Sequence, residues 1–346
     1  MRQMKSADRV VNVLVVGVGP AGLSVGVECV HHGVPDVLAL EKGPVPNQTV
    51  HLYYPDDKRV DAAYKGQEAV CAGVLCFRDT TKANFLSLAD VMLQRFPVPV
   101  VCNAAVDSIR GEPDGLFSVS ASTGKTWKAR HVVVAIGRMG RPNRPEYFDA
   151  IPAAARKRVH FDLRRVDPAG REILVVGGGN AAAEFALSLA PKGRVTLSYR
   201  GSEFTRVNPM NAGLLARDES EGRLAVLRNS NIVSVEDRED RVLVRFAAHP
   251  EMTVDAIVYA IGGSAPAAFL QATGIELDDR GDPRLDEWNE TSVPGLFVAG
   301  ELAVPAGKGS IITSFNTGKR VVEGIMRRLG LERRPEVVSL ASSGGG

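Results

Sequence analysis

Val13-Leu14-Val15-Val16-Gly17-Val18-Gly19-Pro20-Ala21-Gly22 decides the fold of this chain, because its pattern returns as Ile173-Leu174-Val175-Val176-Gly177-Gly178-Gly179-Asn180-Ala181-Ala182. Each stretch is an apolar run short enough for a buried parallel strand, then G-x-G-x-x-G/A, then a helix-forming segment. The first glycine lets the chain turn sharply off the strand. The second lets the backbone approach a pyrophosphate, and the third small residue packs helix against strand. The free N–H groups and the dipole at the helix start then hold the phosphates. One such turn is a weak signal. Two in this context point to a chain that holds two dinucleotides and moves electrons between them.

The residues after the next strand separate the two turns. Val37-Leu38-Ala39-Leu40 ends in Glu41, a carboxylate placed for ribose hydroxyls, followed by Lys42. A glycine-rich turn with no ligand is the bland alternative, and strand, helix, second strand and acid together argue against it. Val195-Thr196-Leu197-Ser198 ends instead in Tyr199-Arg200. A carboxylate there would repel a 2′-phosphate, whereas an arginine accommodates one. Arg200 and Arg206 are the candidates, so the second nucleotide reads as NADPH rather than NADH. Solvated surface arginines are the competing reading.

Composition fits a soluble enzyme. The 346 residues suit two domains, and 45% hydrophobic with 24% charged residues is ordinary for a globular chain. A net charge of +2 gives no footprint for nucleic acid or an anionic membrane. No apolar run approaches the roughly 20 residues that span a bilayer. The polar Met1–Val10 stretch carries no secretory apolar segment. Four cysteines, Cys29, Cys71, Cys76 and Cys102, form neither C-x-x-C nor a zinc pattern, so no metal is expected and a reducing cytoplasm is the simplest home.

The order of elements is nested. A strand at 11–16, a helix at 21–32 and a strand at 36–41 make the first nucleotide unit. Residues 47–80 read as irregular and polar, 82–96 as an amphipathic helix, and 98–136 as several β-rich runs. The second unit has a helix at 180–190 and strands through 258. Ala135-Ile136-Gly137 and Ala260-Ile261-Gly262 both end strands and both lead into Gly/Pro-containing connections, the expected crossings between domains. Leu296-Phe297-Val298-Ala299-Gly300-Glu301 returns the chain to the first domain, and a helix over 310–329 follows. The expectation is an α/β protein of two nested Rossmann-like dinucleotide-binding domains. Residues 1–140 and 265–330 form the first domain and 141–264 the second, with 331–346 a disordered tail.

With these motifs in this order, the chain resembles the low-molecular-weight thioredoxin-reductase-like flavoproteins over roughly residues 11–330. The resemblance implies FAD at the first turn and NAD(P)H at the second. Phe297-Val298-Ala299-Gly300-Glu301 resembles the family's late Phe-x-x-Gly-Asp, with Glu in place of Asp. It implies that the acid contacts the ribityl or phosphate region of FAD. Gly309-Ser310-Ile311 would start a helix under the flavin, whose dipole favours a reduced, anionic ring. By resemblance the FAD set is Gly17, Gly19, Pro20, Ala21, Gly22, Glu41, Lys42, Gly137, Gly300, Glu301, Ser310 and Ile311. The NADPH set is Gly177, Gly179, Asn180, Ala181, Tyr199, Arg200 and Arg206.

The departures narrow the comparison. The C-x-x-C of thioredoxin reductases, placed before the second turn, is replaced by Lys157-Arg158-Val159-His160-Phe161-Asp162. Two subfamilies without that pair are closer. The ferredoxin–NADP reductase type has a similar His-Tyr/Phe stretch there. The bacillithiol-disulfide reductase type has the Tyr-Arg-Gly matched by Tyr199-Arg200-Gly201, but carries a cysteine where this chain has Ala21. The Phe-x-Gly-x-x-x-His pattern of related monooxygenases is not found.

Three residues stand as catalytic candidates. Cys71 and Cys76 could relay electrons from the flavin to a disulfide. The favoured reading is two small buried apolar side chains. Cys29 and Cys102 read as core. His160 could supply a proton as electrons leave the flavin, or be a hydrogen-bonded histidine at a strand end. Tyr53-Tyr54-Pro55-Asp56-Asp57-Lys58-Arg59 could meet flavin or acceptor, or be a charged surface loop. The expected function is an FAD-dependent NADPH oxidoreductase. Its partner is an electron-acceptor protein of ferredoxin type or a small disulfide, and a homodimer is left open. A non-enzymatic redox sensor and a flavin monooxygenase are the alternatives.

Overall fold

Val10–Val16 lies inside a seven-stranded sheet because both of its faces are apolar: Val13 and Val15 pack on one side and Leu14 and Val16 on the other. Burying each such side chain contributes about 1.5–3 kcal/mol. The computed structural model describes residues 9–54, 58–63, 70–138, 141–264, 266–305 and 308–332. Val10–Val16 pairs in parallel with Val37–Leu40 and with Thr126–Val134. The first half of Thr126–Val134 pairs antiparallel with Phe117–Ala121 and its second half parallel with Leu296–Val298. Helix Pro20–His32 and helix Ile311–Leu329 cover one face. Gly318 lets these helices approach: a side chain there would meet Ser24 at 2.8 Å, and Ser24 Oγ donates to the Phe315 carbonyl at 2.8 Å.

The second unit repeats the plan. Five parallel strands run in the order Val159–His160, Ala256–Tyr259, Glu172–Val176, Arg194–Ser198 and Leu224–Leu227. Ile173 and Val175 face a core with helix Asn180–Leu189, while Leu174 faces a three-stranded antiparallel layer of residues 232–254. Two short strands of the crossings, Arg141–Pro142 and Gly263–Ser264, pair with each other.

The chain divides into one unit of residues 1–51, 59–140 and 265–346 and another of residues 52–58 and 141–264. Residues 52–58 thus group with the second unit rather than the first, where the sequence reading placed them. Lys58 is ion-paired there with Glu184 and lies over the Tyr54 ring. Residues 47–80 also hold more order than expected: Gln48–Tyr53 is helical, and Arg59–Val60 pairs with Thr80–Thr81. The helix predicted over 82–96 is Lys82–Arg95, capped by Thr81. The expected tail lies outside the described residues from 333 onward. Its first residue, Leu331, packs against the core and donates its N–H to Met326. No helix among the described residues is long and apolar enough to cross a membrane.

Candidate functional site

In the first turn the three glycines do three different things. Gly17 has φ +94°, and a side chain there would meet the Ala135 carbonyl oxygen at 2.7 Å. Gly22 packs so close under the Gly17 carbonyl that any side chain would overlap it. Gly19, by contrast, faces open space with nothing within 4 Å and has extended backbone. Pro20 opens the helix, where its missing N–H costs nothing. The open side of Gly19 at a helix start is where a pyrophosphate fits.

Glu41 is wired into this turn. It is only 5% exposed, and its two carboxylate oxygens accept from Val18 N–H and Gly43 N–H, each at 2.8 Å. A carboxylate has further lone pairs, so ribose hydroxyls can still donate to it. Lys42 beside it is exposed.

Two further residues reach this place: Asn47, just before the short helix Gln48–Tyr53 that sequence reasoning missed, and Gln48 at its start. Asn47 N–H donates to the Val18 carbonyl at 2.7 Å, and Asn47 is 1% exposed. Its Oδ1 and the Oε1 of Gln48 are buried without a hydrogen-bond partner among the described residues. An unpaired buried acceptor costs about 1–3 kcal/mol. A ligand that brings hydroxyl donors, as the ribityl chain of FAD does, removes that cost. The open Gly19, the Glu41 carboxylate and these two acceptors fit FAD.

The C-terminal elements of the same unit add the other candidates. Gly300 has φ +85° and gives its N–H to Thr317 Oγ1 at 2.8 Å, and a side chain there would meet Ala21 at 2.9 Å. Glu301 lies over Gly309, where a side chain would meet its Cγ at 2.7 Å, so the glycine makes room for the longer acid. Ser310 and Thr313 form a reciprocal cap before Ile311, fixing the helix start whose partial positive charge faces any anion there. Gly137, with φ +68°, leads into Arg138, which pairs with Asp282 and donates to the carbonyls of Glu301 and Val304 at 3.1 and 2.7 Å. Arg138 therefore holds the backbone that carries Glu301, a role no motif announces.

The second turn is built alike up to its side chains. Gly177 sits against the Ala260 carbonyl with φ +153°, and Gly179 faces open space. The middle residue, Gly178, is covered by the Tyr199 ring, which stacks on Phe204 at 5.0 Å and 17°. Arg228 lies over Phe204 and is held by both oxygens of Glu219. A bridge between Gly179 and Arg206 brings that arginine's backbone to the turn. Arg200 and Arg206 are exposed and, among the described residues, in no ion pair. Ala181 is exposed at the helix start. Asn180 turns its Oδ1 to Asn208 N–H at 2.7 Å, so its side chain positions the following loop.

The catalytic candidates divide between the units. Cys71 and Cys76, in the first, are half-buried and joined by a disulfide with Cα atoms 5.5 Å apart. This corrects the favoured reading of two separate apolar side chains. Cys102 is half-buried rather than core, whereas Cys29 is buried. His160, in the second unit, ends the edge strand and lines a pocket of about 450 Å³ with Lys157, Arg158, Arg165, Arg171 and Asp255. Burial pushes its pKa down and Asp162 opposes this.

Residues 14–300 match the pyridine nucleotide-disulphide oxidoreductase family. The chain is 26% identical over 340 residues to a ferredoxin–NADP reductase of Lacticaseibacillus paracasei, covering 95% of this chain and 97% of that one. It is 27% identical over 302 residues to the bacilliredoxin reductase Bdr of Bacillus subtilis, covering 84% and 89%. Its fold matches the solved bacillithiol disulfide reductase Bdr of Bacillus cereus with a TM-score of 0.77 at 21% identity, over 92% of this chain and all of that one. Two glycine cradles on parallel strands and a family match over most of the chain lead to one conclusion: it belongs to the pyridine nucleotide-disulphide oxidoreductase family and is an FAD-containing, NAD(P)H-dependent oxidoreductase.

Proposed function

We propose that this chain takes reducing equivalents from NADPH and delivers them to a small redox protein of ferredoxin type. The observation that carries the nucleotide choice is Tyr199-Arg200 at the end of the second strand, with Arg206 bridged to Gly179. Both arginines are exposed cations beside an open cradle, the arrangement that suits a 2′-phosphate. FAD, when bound, supplies the chemistry of accepting a hydride equivalent and releasing electrons. The chain's own part is to hold and polarise. Glu41 takes the ribose hydroxyls, Asn47 and Gln48 accept from the ribityl chain, and the capped helix start at Ser310–Ile311 favours negative charge. The ferredoxin-type acceptor is supported by the ferredoxin–NADP reductase among the relatives and by Ala21 and residues 157–162, which carry no cysteine.

A second reading has one observation in its favour. The Cys71–Cys76 disulfide lies in the same unit as Glu41 and Ser310, and a relative is a bacilliredoxin reductase. In that reading the acceptor is a low-molecular-weight disulfide reached through this pair. Steady-state turnover with NADPH and a panel of ferredoxin, flavodoxin, small disulfides and oxygen separates the two. The first reading expects turnover with the one-electron proteins, retained in Cys71→Ser and Cys76→Ser. Efficient turnover with disulfides alone, lost in both variants, would replace it with the second.

A further inference from the structure

The pocket that His160 lines lies at the opposite end of the second unit's sheet from the glycine turn. Arg171 leads into strand Glu172–Val176 and Ala256 opens strand Ala256–Tyr259, and both residues line the pocket. The two strands are parallel, and Gly177 follows the other end of the first. Six residues of extended chain, roughly 20 Å, therefore separate Arg171 from Gly177. The rest of the wall comes from the edge strand Val159–His160 and the residues on either side of it, Lys157 and Arg158 before and Arg165 to Asp167 after. Its volume is about 450 Å³.

The sequence concentrates positive charge here. Residues 141–171 carry eight Lys or Arg against four Asp or Glu, a larger excess than the +2 of the whole chain. The carboxylates at the pocket are already engaged. Asp167 has Arg171 at 3.6 Å, Asp240 has Arg158 at 3.1 Å, and Asp255 accepts from Arg241 Nε at 3.0 Å and from Glu172 N–H at 2.7 Å. Asp162, close to His160, accepts from Arg164 at 2.7 Å. Lys157 and Arg165 are left exposed with no carboxylate partner among the described residues. His160 is half-buried, and neither ring nitrogen has a hydrogen bond among the described residues. Burial lowers the His160 pKa, Asp162 opposes this and the Arg165 charge adds to it, so guanidinium and imidazole share one field.

Three donors of different shape thus face one cavity. Arg165 offers a planar fork, Lys157 a point charge with three N–H groups, and the imidazole a single N–H. Such a set suits the several acceptor oxygens of a phosphate better than the two of a carboxylate. The volume lies within the roughly 300–1,000 Å³ of small-molecule sites, which leaves room for an organic body beside the anion. Val166 and the arginine stems supply apolar wall for that body. We propose that Lys157, His160 and Arg165 form a binding site for a small phosphate ester, separate from both glycine turns. Its occupant does not overlap a nucleotide phosphate at Gly179, because the two places lie at opposite ends of the same strand.

The test titrates ribose 5-phosphate and, in parallel, inorganic phosphate into FAD-loaded enzyme by calorimetry, with chloride adjusted to constant ionic strength. Ribose 5-phosphate should bind at one site and more tightly than inorganic phosphate. Arg165→Ala and Lys157→Ala should each weaken it about 5-fold, the worth of an exposed charge contact, with flavin content and KM for NADPH unchanged. Arg165→Lys should lose less than Arg165→Ala. Arg200→Ala should bind as the wild type does. The imidazole proton resonance of His160, identified by its absence from His160→Gln, should shift on titration. Heat no greater than that of the chloride control would overturn the proposal. Binding that survives in both alanine variants but is lost in Arg200→Ala would also overturn it, by placing the anion at the second glycine turn. Equal affinity for the two probes would remove the organic body from the assignment and overturn the phosphate-ester reading.

Discussion

The two glycine turns share a backbone and differ in what is laid over it. In both, the first glycine is locked under a carbonyl from a neighbouring Ala-Ile-Gly strand end, Ala135 in one and Ala260 in the other. In both, the following Gly19 or Gly179 is open. The differences begin one residue away. Position 18 is a buried valine whose N–H goes to Glu41, while position 178 is a glycine roofed by Tyr199. The backbone thus sets that a dinucleotide binds, and the residue after the second strand sets which one. In the function proposed above, the carboxylate goes with the flavin nucleotide and the tyrosine–arginine pair with the phosphorylated one.

Breaking what the turns share should have the largest effect. Gly17→Ala and Gly177→Ala each place a side chain at positive φ against a backbone oxygen. Each should lose about 3 kcal/mol or more of stability in denaturant titrations of its own unit. A wild-type midpoint for either would show that the lock is dispensable. Next come the open glycines. Gly19→Ala and Gly179→Ala have room and extended backbones, so both should fold. The first should lose flavin, read from its absorption. The second should stay yellow while its KM for NADPH rises about 10–100-fold, matching the 1.5–3 kcal/mol of a charge-assisted contact. Flavin loss from the second variant alone would invert the assignment of the turns. The smallest effect sharpens the difference. Arg200→Ala should raise KM for NADPH about 10-fold, less than the full contact because Arg200 is exposed, and leave NADH unchanged. An equal change for both nucleotides would remove Arg200 from 2′-phosphate recognition.

Glycine spacing made the turns legible, because each position answers a local steric demand that the sequence states outright. Glu41 was legible for the same reason, standing at a fixed offset from the turn. What stayed hidden depends on where distant segments meet. The Cys71–Cys76 bond needs two Cα atoms 5.5 Å apart, and no residue type encodes that distance. Asn47 and Gln48 reveal themselves only through acceptors left unpaired by burial. Arg138 matters through carbonyls at 301 and 304, far along the chain. Asn180 fits the phosphate motif by position, yet its side chain turns to Asn208, a competition the motif cannot express. A dense polar stretch at 47–80 gave no period, so its short helix and strand pair went unread.

The tie between Glu41 and the N–H groups of Val18 and Gly43 has a kinetic consequence. It shapes the first cradle before any nucleotide arrives, so little ordering cost falls on binding and dissociation must break a finished, buried constellation. Such a cradle favours a tenant that stays through many turnovers. The second cradle offers exposed arginines and an aromatic roof, suited to a visitor that docks, reacts and leaves once per cycle. In the proposed function one backbone design would thus serve a resident prosthetic group and a passing co-substrate, with residence time set by whether the recognising charge is buried or exposed.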